Sequence, residues 1–446
     1  MFDVKIAYLP IGRVNFDMES ANKIYKDSAA LLNEISNEVY EPKKIITSPD
    51  DLDAVLRNEM PSEVDFVIFQ MATFADAEFI VKVMEYYSKP IIVWSVREPE
   101  VGGRLRLNSL TGGNSSCHAL RYYKRDFDFI YGNPSESKVQ RKFASKFAAK
   151  QTQEKLQQLI IGVLGDHPPG FFFSGVDEME LHRTVGAKVH NIDLYKMFRE
   201  ALELPEEEWK PMLERASKKV VGLRKDDEAT IKFAQFSTRL KQYVDEHKIN
   251  ATAVRCWPEF YTELGAAACS TLSQFIEDGI VSSCESDING AVSMFIQQEL
   301  SGGQPPYLGD MVLLEEEKNS VVFWHCGAGA YSLANPSTGA IAGVQPNRKM
   351  GFALDFGLKP GQVTISRLSK SSDGYRMLIM RGEALDEPKK FNGTTVSVCL
   401  DGNAEEMVHT LMMEGFEPHY SIVYADIVDE LKELCKLLKI DTVEMG

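Results

Sequence analysis

The sequence predicts an α/β protein that turns β-rich in its last third. Three observations predict it. Apolar runs of strand length alternate with amphipathic helical stretches through the first 300 residues, Ser301-Gly302-Gly303-Gln304-Pro305-Pro306 then breaks the pattern, and β-like segments with few helices follow. Short apolar strands separated by helices are the signature of a mostly parallel sheet covered on both faces. At 446 residues the chain is long enough for two or three domains, and the pattern divides it at 1–158, 159–300 and 301–446.

In order, Val4–Ile11 is an apolar strand, Ser20–Ile35 has helical spacing and Lys44–Thr47 is a short strand. Strands are expected at Val64–Ala72, Pro90–Val96, Phe127–Tyr131 and Leu159–Leu164, with helices at Asp76–Tyr87 and Glu136–Gln153 between them. The turn Gly165-Asp166-His167-Pro168-Pro169-Gly170 opens a second α/β stretch. It reads as helix at Lys225–His247, strand at Ala251–Trp257, helix at Leu264–Glu277, strand at Ile280–Cys284 and helix at Asp287–Leu300. Beyond the break, Leu308–Leu314, Ser320–His325, Gln362–Ser369, Tyr375–Arg381 and Thr394–Leu400 suggest a small antiparallel barrel or sandwich. Helices at Glu405–Glu414 and Asp426–Leu438 flank a last strand, Tyr420–Tyr424.

Composition excludes several classes. The chain is 44% hydrophobic and 26% charged, as a folded protein is, and its net charge of −16 repels phosphate backbones, so no nucleic-acid partner is expected. The N-terminus lacks the pattern of a signal peptide, and no apolar run reaches the roughly 18 residues of a membrane span, so no membrane partner is expected. Seven scattered cysteines with no Cys-x-x-Cys read as free thiols in a reducing compartment, which places the protein in the cytoplasm. The sequons at Asn114 and Asn392 then carry no meaning. Phosphate-loop, dinucleotide, nucleophile-elbow and His-Glu-x-x-His motifs are all absent.

One constellation stands out: Trp257-Pro258-Glu259, Ser283-Cys284-Glu285-Ser286-Asp287-Ile288-Asn289-Gly290-Ala291, Leu308-Gly309-Asp310, Trp324-His325-Cys326-Gly327 and Pro418-His419-Tyr420. Glu285 ends a strand just before a helix, at the sheet edge where α/β proteins bind ligands. Glu285 and Asp310 from two domains, with a late imidazole, suit a divalent cation of the Mn²⁺ or Mg²⁺ type, since oxygen and nitrogen donors favour it over thiolate-seeking metals. Each residue also has a plainer reading. Glu285 fits an acidic helix start, Asp310 a turn, His325 an apolar core and His419 a loop.

Taken together, these segments resemble the L-fucose isomerase and L-arabinose isomerase superfamily, and most closely its shorter fucose-isomerase-like members. The resemblance implies two Rossmann-like α/β domains followed by a C-terminal β-rich, barrel-like domain, assembled into a homo-oligomer, a trimer or hexamer, with sites near subunit interfaces. It implies a metal-dependent aldose–ketose isomerase acting on a monosaccharide through a metal-bound enediolate. Glu285, Asp310 and His419 are then the metal ligands, Mn²⁺ the expected ion with Mg²⁺ or another divalent metal in reserve, and Glu285 and Asp310 the proton-transferring groups. Trp257, Asn289 and His325 are candidates for the sugar, as are Arg13 and the loop that carries Arg97, Arg104 and Arg106. Arginines crowding a Gly-rich stretch of an acidic chain suit a sugar with an anionic terminus, such as sulfoquinovose. They also suit plain pairing with Glu98 and Glu100. The competing readings are an isomerase of a neutral sugar such as L-fucose or L-arabinose, and a non-catalytic sugar-binding protein.

Overall fold

The computed structural model describes all 446 residues and divides into two compact units, Met1–Gln151 and Thr152–Gly446. The first unit is built on a five-stranded, all-parallel sheet in the order Ser36–Tyr40, Phe2–Ile11, Phe66–Met71, Ile91–Ser95, Phe127–Tyr131. Successive strand residues point to opposite faces. Accordingly Leu9, Val67, Phe69 and Val93 fill one core, while Tyr8, Ile68, Ile92 and Trp94 fill the other. This explains why the strands read as continuous apolar runs.

Two features here differ from expectation. The strand beside Phe2–Ile11 is Ser36–Tyr40, directly after the helix Met18–Ile35. The expected Lys44–Thr47 contributes only an isolated bridge from Ile46 to Ile11, because Pro42, with no N–H, separates it from the ladder. A helix, Ser109–Tyr122, also covers the sheet in a stretch to which the pattern assigns no element. It contains the Gly112-Gly113 pair, and a Cβ on Gly113 would lie 2.1 Å from Ser95 Oγ. The glycines let this helix approach the strand closely.

The second unit carries a four-stranded parallel sheet in the order Val281–Cys284, Ala251–Val254, Ile160–Leu164, Lys188–Ile192. Its helices include Leu194–Leu202, Glu206–Lys219, Glu228–Glu246, Cys269–Glu277 and Ile288–Leu300. The first two of these helices and the edge strand Lys188–Ile192 fall in a stretch left unread by pattern. After residue 300 comes an eight-stranded mixed sheet in the order Phe356–Gly357, Thr394–Leu400, Ser320–His325, Tyr307–Glu315, His419–Val423, Gly361–Ser371, Gly374–Ala384, Asp441–Met445. Gly374–Ala384 also pairs with Thr394–Leu400. The fold is thus α/β with parallel sheets and a β-rich C-terminal region, as the sequence predicts. No helix is long and apolar enough to cross a membrane.

Within the first unit, Arg97 donates to both oxygens of Glu136, at 2.7 and 3.0 Å. Those bonds and the Asn133 backbone N–H hold the Glu136 carboxyl at about 2, against an ordinary 4.5. A depressed carboxyl stabilises the fold above its unfolded value, and that stability is lost as pH falls toward the folded one. Both side chains are partly exposed, so R97Q is expected to lower stability only slightly at neutral pH. The difference from wild type, read by urea unfolding, should shrink as pH drops from 4.5 toward 2.

Candidate active site

The strand Val281–Cys284 ends in an unusual turn. Glu285 and Ser286 both adopt left-handed backbone, each with φ 52°, before Asp287 caps the helix Ile288–Leu300 by accepting the Gly290 N–H at 2.9 Å. Two consecutive non-glycine residues in that region are strained, and such strain collects at functional sites. Ser286 secures the turn by donating its backbone N–H to Val254 O at 3.1 Å and its hydroxyl to Gly165 O at 3.1 Å. Sequence alone left Glu285 as either an acidic helix start or a ligand. The structure divides those tasks: Asp287 is the cap, and Glu285 stands clear of the helix.

Three strands of the eight-stranded sheet bring up the rest. Asp310 pairs across the sheet with Trp324 on one side and with His419 on the other. His419 Nε2 therefore lies 3.0 Å from Glu285 Oε2 and 3.6 Å from Asp310 Oδ1. His325 joins them: ligand atoms of Glu285, His325 and His419 all lie within 4.8 Å of one another. Its Nδ1 accepts the Cys326 backbone N–H at 2.8 Å, which leaves Nε2 as the outward nitrogen.

Behind this cluster is a buried charge relay that the sequence did not disclose. His419 Nδ1 lies 2.8 Å from Asp287 Oδ2, so the ring donates from Nδ1 and turns Nε2 toward Glu285 and Asp310. Asp287 also takes two hydrogen bonds from Arg367, at 2.5 and 3.1 Å. Arg367 and Asp287 are both completely buried. Burial alone would raise the Asp287 carboxyl, but Arg367 and His419 outweigh it and hold it far below its usual range. Burial likewise opposes charge on His419, yet its contacts with Asp287 and Glu285 lift it to about 10. Asp310 is raised, chiefly by burial, with His419 and His325 pulling the other way.

His325 Nε2 is buried with no hydrogen-bond partner, and Glu285 Oε2 has only the His419 ring, at 3.0 Å, so the cluster is short of partners for its buried polar atoms. Carboxylate oxygens and imidazole nitrogens are donors that Mn²⁺ and similar ions accept. Glu285, Asp310 and His419 therefore fit a divalent cation, whereas His325, whose Nδ1 is engaged as an acceptor, presents an Nε2–H, which suits the sugar contact expected of it.

The cluster opens into a cavity of about 250 Å³, just below the roughly 300–1,000 Å³ usual for ligand pockets and suited to one monosaccharide. Glu285, Asp310 and His325 line it together with Trp257, Tyr261 and Trp324. Trp257 is thus where a sugar contact was expected. Asn289 is not among the lining residues; it is buried in the first turn of its helix, with Oδ1 unpartnered. Arg13, Arg97, Arg104 and Arg106 belong to the first unit, where each has a partner. Arg13 pairs with Asp76, Arg97 with Glu136, Arg104 with the Asn15 carbonyl, and Arg106 with Glu100 and Asp17. Glu98 is taken up by the backbone N–H groups of Arg106, Leu107 and Asn108. The seven cysteines are free, and the Cys269 and Cys326 sulfurs lie 3.5 Å apart beside the site.

Residues 337–446 match the family model described as L-fucose isomerase, C-terminal domain. A sulfoquinovose isomerase of Priestia megaterium is 52% identical over 442 residues, covering 99% of both chains. The chain belongs to the fucose isomerase-like family. A second member of this family, the sulfoquinovose isomerase of Alkalicoccus urumqiensis, is 51% identical over 440 residues, again 99% of each chain. A sulfoquinovose isomerase of Clostridium sp. is 37% identical over 449 residues. The protein is therefore a sugar isomerase, as the resemblance implied.

For this fucose isomerase-like enzyme, the Arg367–Asp287–His419 relay makes two predictions. D287N should lower activity about 10- to 100-fold, the usual cost of losing a partner that orients a ligating histidine, and should also lower stability because it leaves buried Arg367 without its carboxylate; circular dichroism under assay conditions separates the two effects. R367M, which strands the Asp287 charge in the interior, should cost about 3–5 kcal/mol in chemical unfolding.

Proposed function

We propose that this enzyme interconverts sulfoquinovose, a hexose with a sulfonate at C6, and the corresponding ketose, and that it uses a divalent cation of the Mn²⁺ type. The full-length identity of 51–52% to sulfoquinovose isomerases carries the substrate reading. The convergence of two carboxylates and an imidazole, Glu285, Asp310 and His419, in one buried cluster supports the cation.

Aldose–ketose interconversion moves one proton between C1 and C2 and another between O1 and O2. Glu285 and Asp310, which line the cavity, are the groups we assign to accept and return these protons. A carboxyl raised by burial, as Asp310 is, is suited to acting as an acid in one direction and a base in the other. His419, oriented by Asp287, offers Nε2 as a fixed donor. The Trp257, Tyr261 and Trp324 rings restrict water around the reacting carbons. When bound, a divalent cation supplies Lewis-acid stabilisation of the negative charge that develops on the sugar oxygens.

The homo-oligomer, trimer or hexamer, that the family resemblance implies is a further part of the proposal. The closing of the C-terminal ladder by Gly374–Ala384 on Thr394–Leu400 supports the barrel-like third domain. The free thiols support a cytoplasmic setting.

The deciding assay offers sulfoquinovose, D-glucose, L-fucose and L-arabinose with added Mn²⁺ and follows aldose–ketose exchange by NMR. Sulfoquinovose should lead in kcat/KM; preference for a neutral aldose would defeat the substrate reading. E285Q and D310N should each lower kcat by at least about a thousandfold, since each removes a proton acceptor and a ligand charge. Exhaustive chelation should abolish turnover and Mn²⁺ restore it. Since the cation must displace the Nε2 proton of His419, its affinity, measured by calorimetry, should weaken as pH is lowered.

A further inference from the structure

One cation faces the cavity without a carboxylate of its own. Arg348 lies in the loop between the strands Ala340–Gly343 and Ala353–Leu354 and lines the same cavity as Glu285 and Asp310. Its guanidinium stands 5.8 Å from the Trp257 ring centroid and 5.9 Å from that of Tyr261, at the outer limit of a cation–π contact. Its side chain makes no ion pair, whereas every arginine of the 97–106 loop has a partner. The loop itself is fastened: the Arg348 backbone N–H donates to the buried Gln345 side chain at 2.5 Å, and the Gln345 N–H donates to Met350 O at 3.0 Å.

We propose that Arg348 is the specificity-determining residue for the anionic end of the sugar. The proposal rests on the substrate reading above and refines it. An exposed guanidinium held beside two aromatic faces keeps its N–H edge free, and that edge matches two oxygens of a sulfonate or phosphate. Glu285 and Asp310, which line the same cavity, repel such an anion. Charges of both signs therefore act on a sugar in the cavity. A C6 sulfonate is drawn to Arg348, and the C1–C2 end is left to the carboxylates, so the sugar enters in one direction only. A neutral aldose gains nothing from Arg348 and lacks this orienting pull.

The test compares wild type, R348Q and R348K on sulfoquinovose, glucose 6-phosphate and D-glucose, with thermal melting to verify folding. In R348Q, KM for sulfoquinovose should rise about 10- to 100-fold, the range of a lost charge-assisted bond, while kcat moves less than KM. Selectivity for sulfoquinovose over D-glucose should fall by at least about tenfold, and R348K should recover part of it. Glucose 6-phosphate distinguishes the two anions: its use by wild type and loss in R348Q mean that Arg348 reads either one, and its rejection by wild type means that Arg348 is tuned to the sulfonate. If wild type does not isomerise sulfoquinovose, the substrate reading fails and this proposal with it. If wild type does so and folded R348Q keeps both KM and selectivity within twofold, this proposal alone is overturned.

Discussion

A single buried carboxylate, Asp287, holds the catalytic region together. It caps a helix, neutralises a buried arginine and orients the late histidine. An ion pair this deep is weak evidence of net stability, because desolvating both charges costs several kcal/mol per ion. Its value lies in specification. The Arg367 strand, the His419 strand and the helix after Glu285 satisfy one another only in this arrangement, since any other leaves a charge buried without a partner. Glu285 is released from helix capping for the same reason: its neighbour already occupies that position.

The parallel sheets were legible in the sequence because burial on both faces turns strands into uninterrupted apolar runs such as Val67–Phe69 and Ile91–Trp94. Ser36–Tyr40 was not, since an edge strand of half-buried polar residues has no such run. Ser109–Tyr122 was hidden by glycines that serve close packing rather than a turn, and Glu206–Lys219 by its charge and an internal proline. In the site, Glu285, Asp310 and His419 were visible as a motif and do converge. Arg367 had no local signal. It sits in Gly361–Ser371 as one polar residue among several, and the acid that explains its burial lies 80 positions away.

Electrostatic reading of the arginines shows the same limit. Arg97, Arg104 and Arg106 attract notice because they are dense in sequence, but density alone does not say whether a charge is spent. In the folded first unit, Glu136 engages Arg97, Glu100 and Asp17 engage Arg106, and the Asn15 carbonyl takes Arg104. Arg348 is followed by Lys349 in a loop with no other sequence signal, and only its place on the cavity wall, with no acid paired to it, distinguishes it. Free charge, rather than abundant charge, is what a ligand can use, and it becomes visible only after pairing is known.

The relay has a consequence for how the enzyme comes into being. Asp287 and His419 are separated by 132 positions, so their meeting closes one of the long loops of the second unit. Loop closure across such a distance is unfavourable until the surrounding strands have formed, and topologies rich in distant contacts fold slowly. A ribosome-bound or refolding chain can complete its first parallel sheet early, yet it has no rudimentary version of the active centre until the His419 strand inserts between its two neighbours. Catalytic competence should therefore appear all at once and late, as a reporter of finished topology.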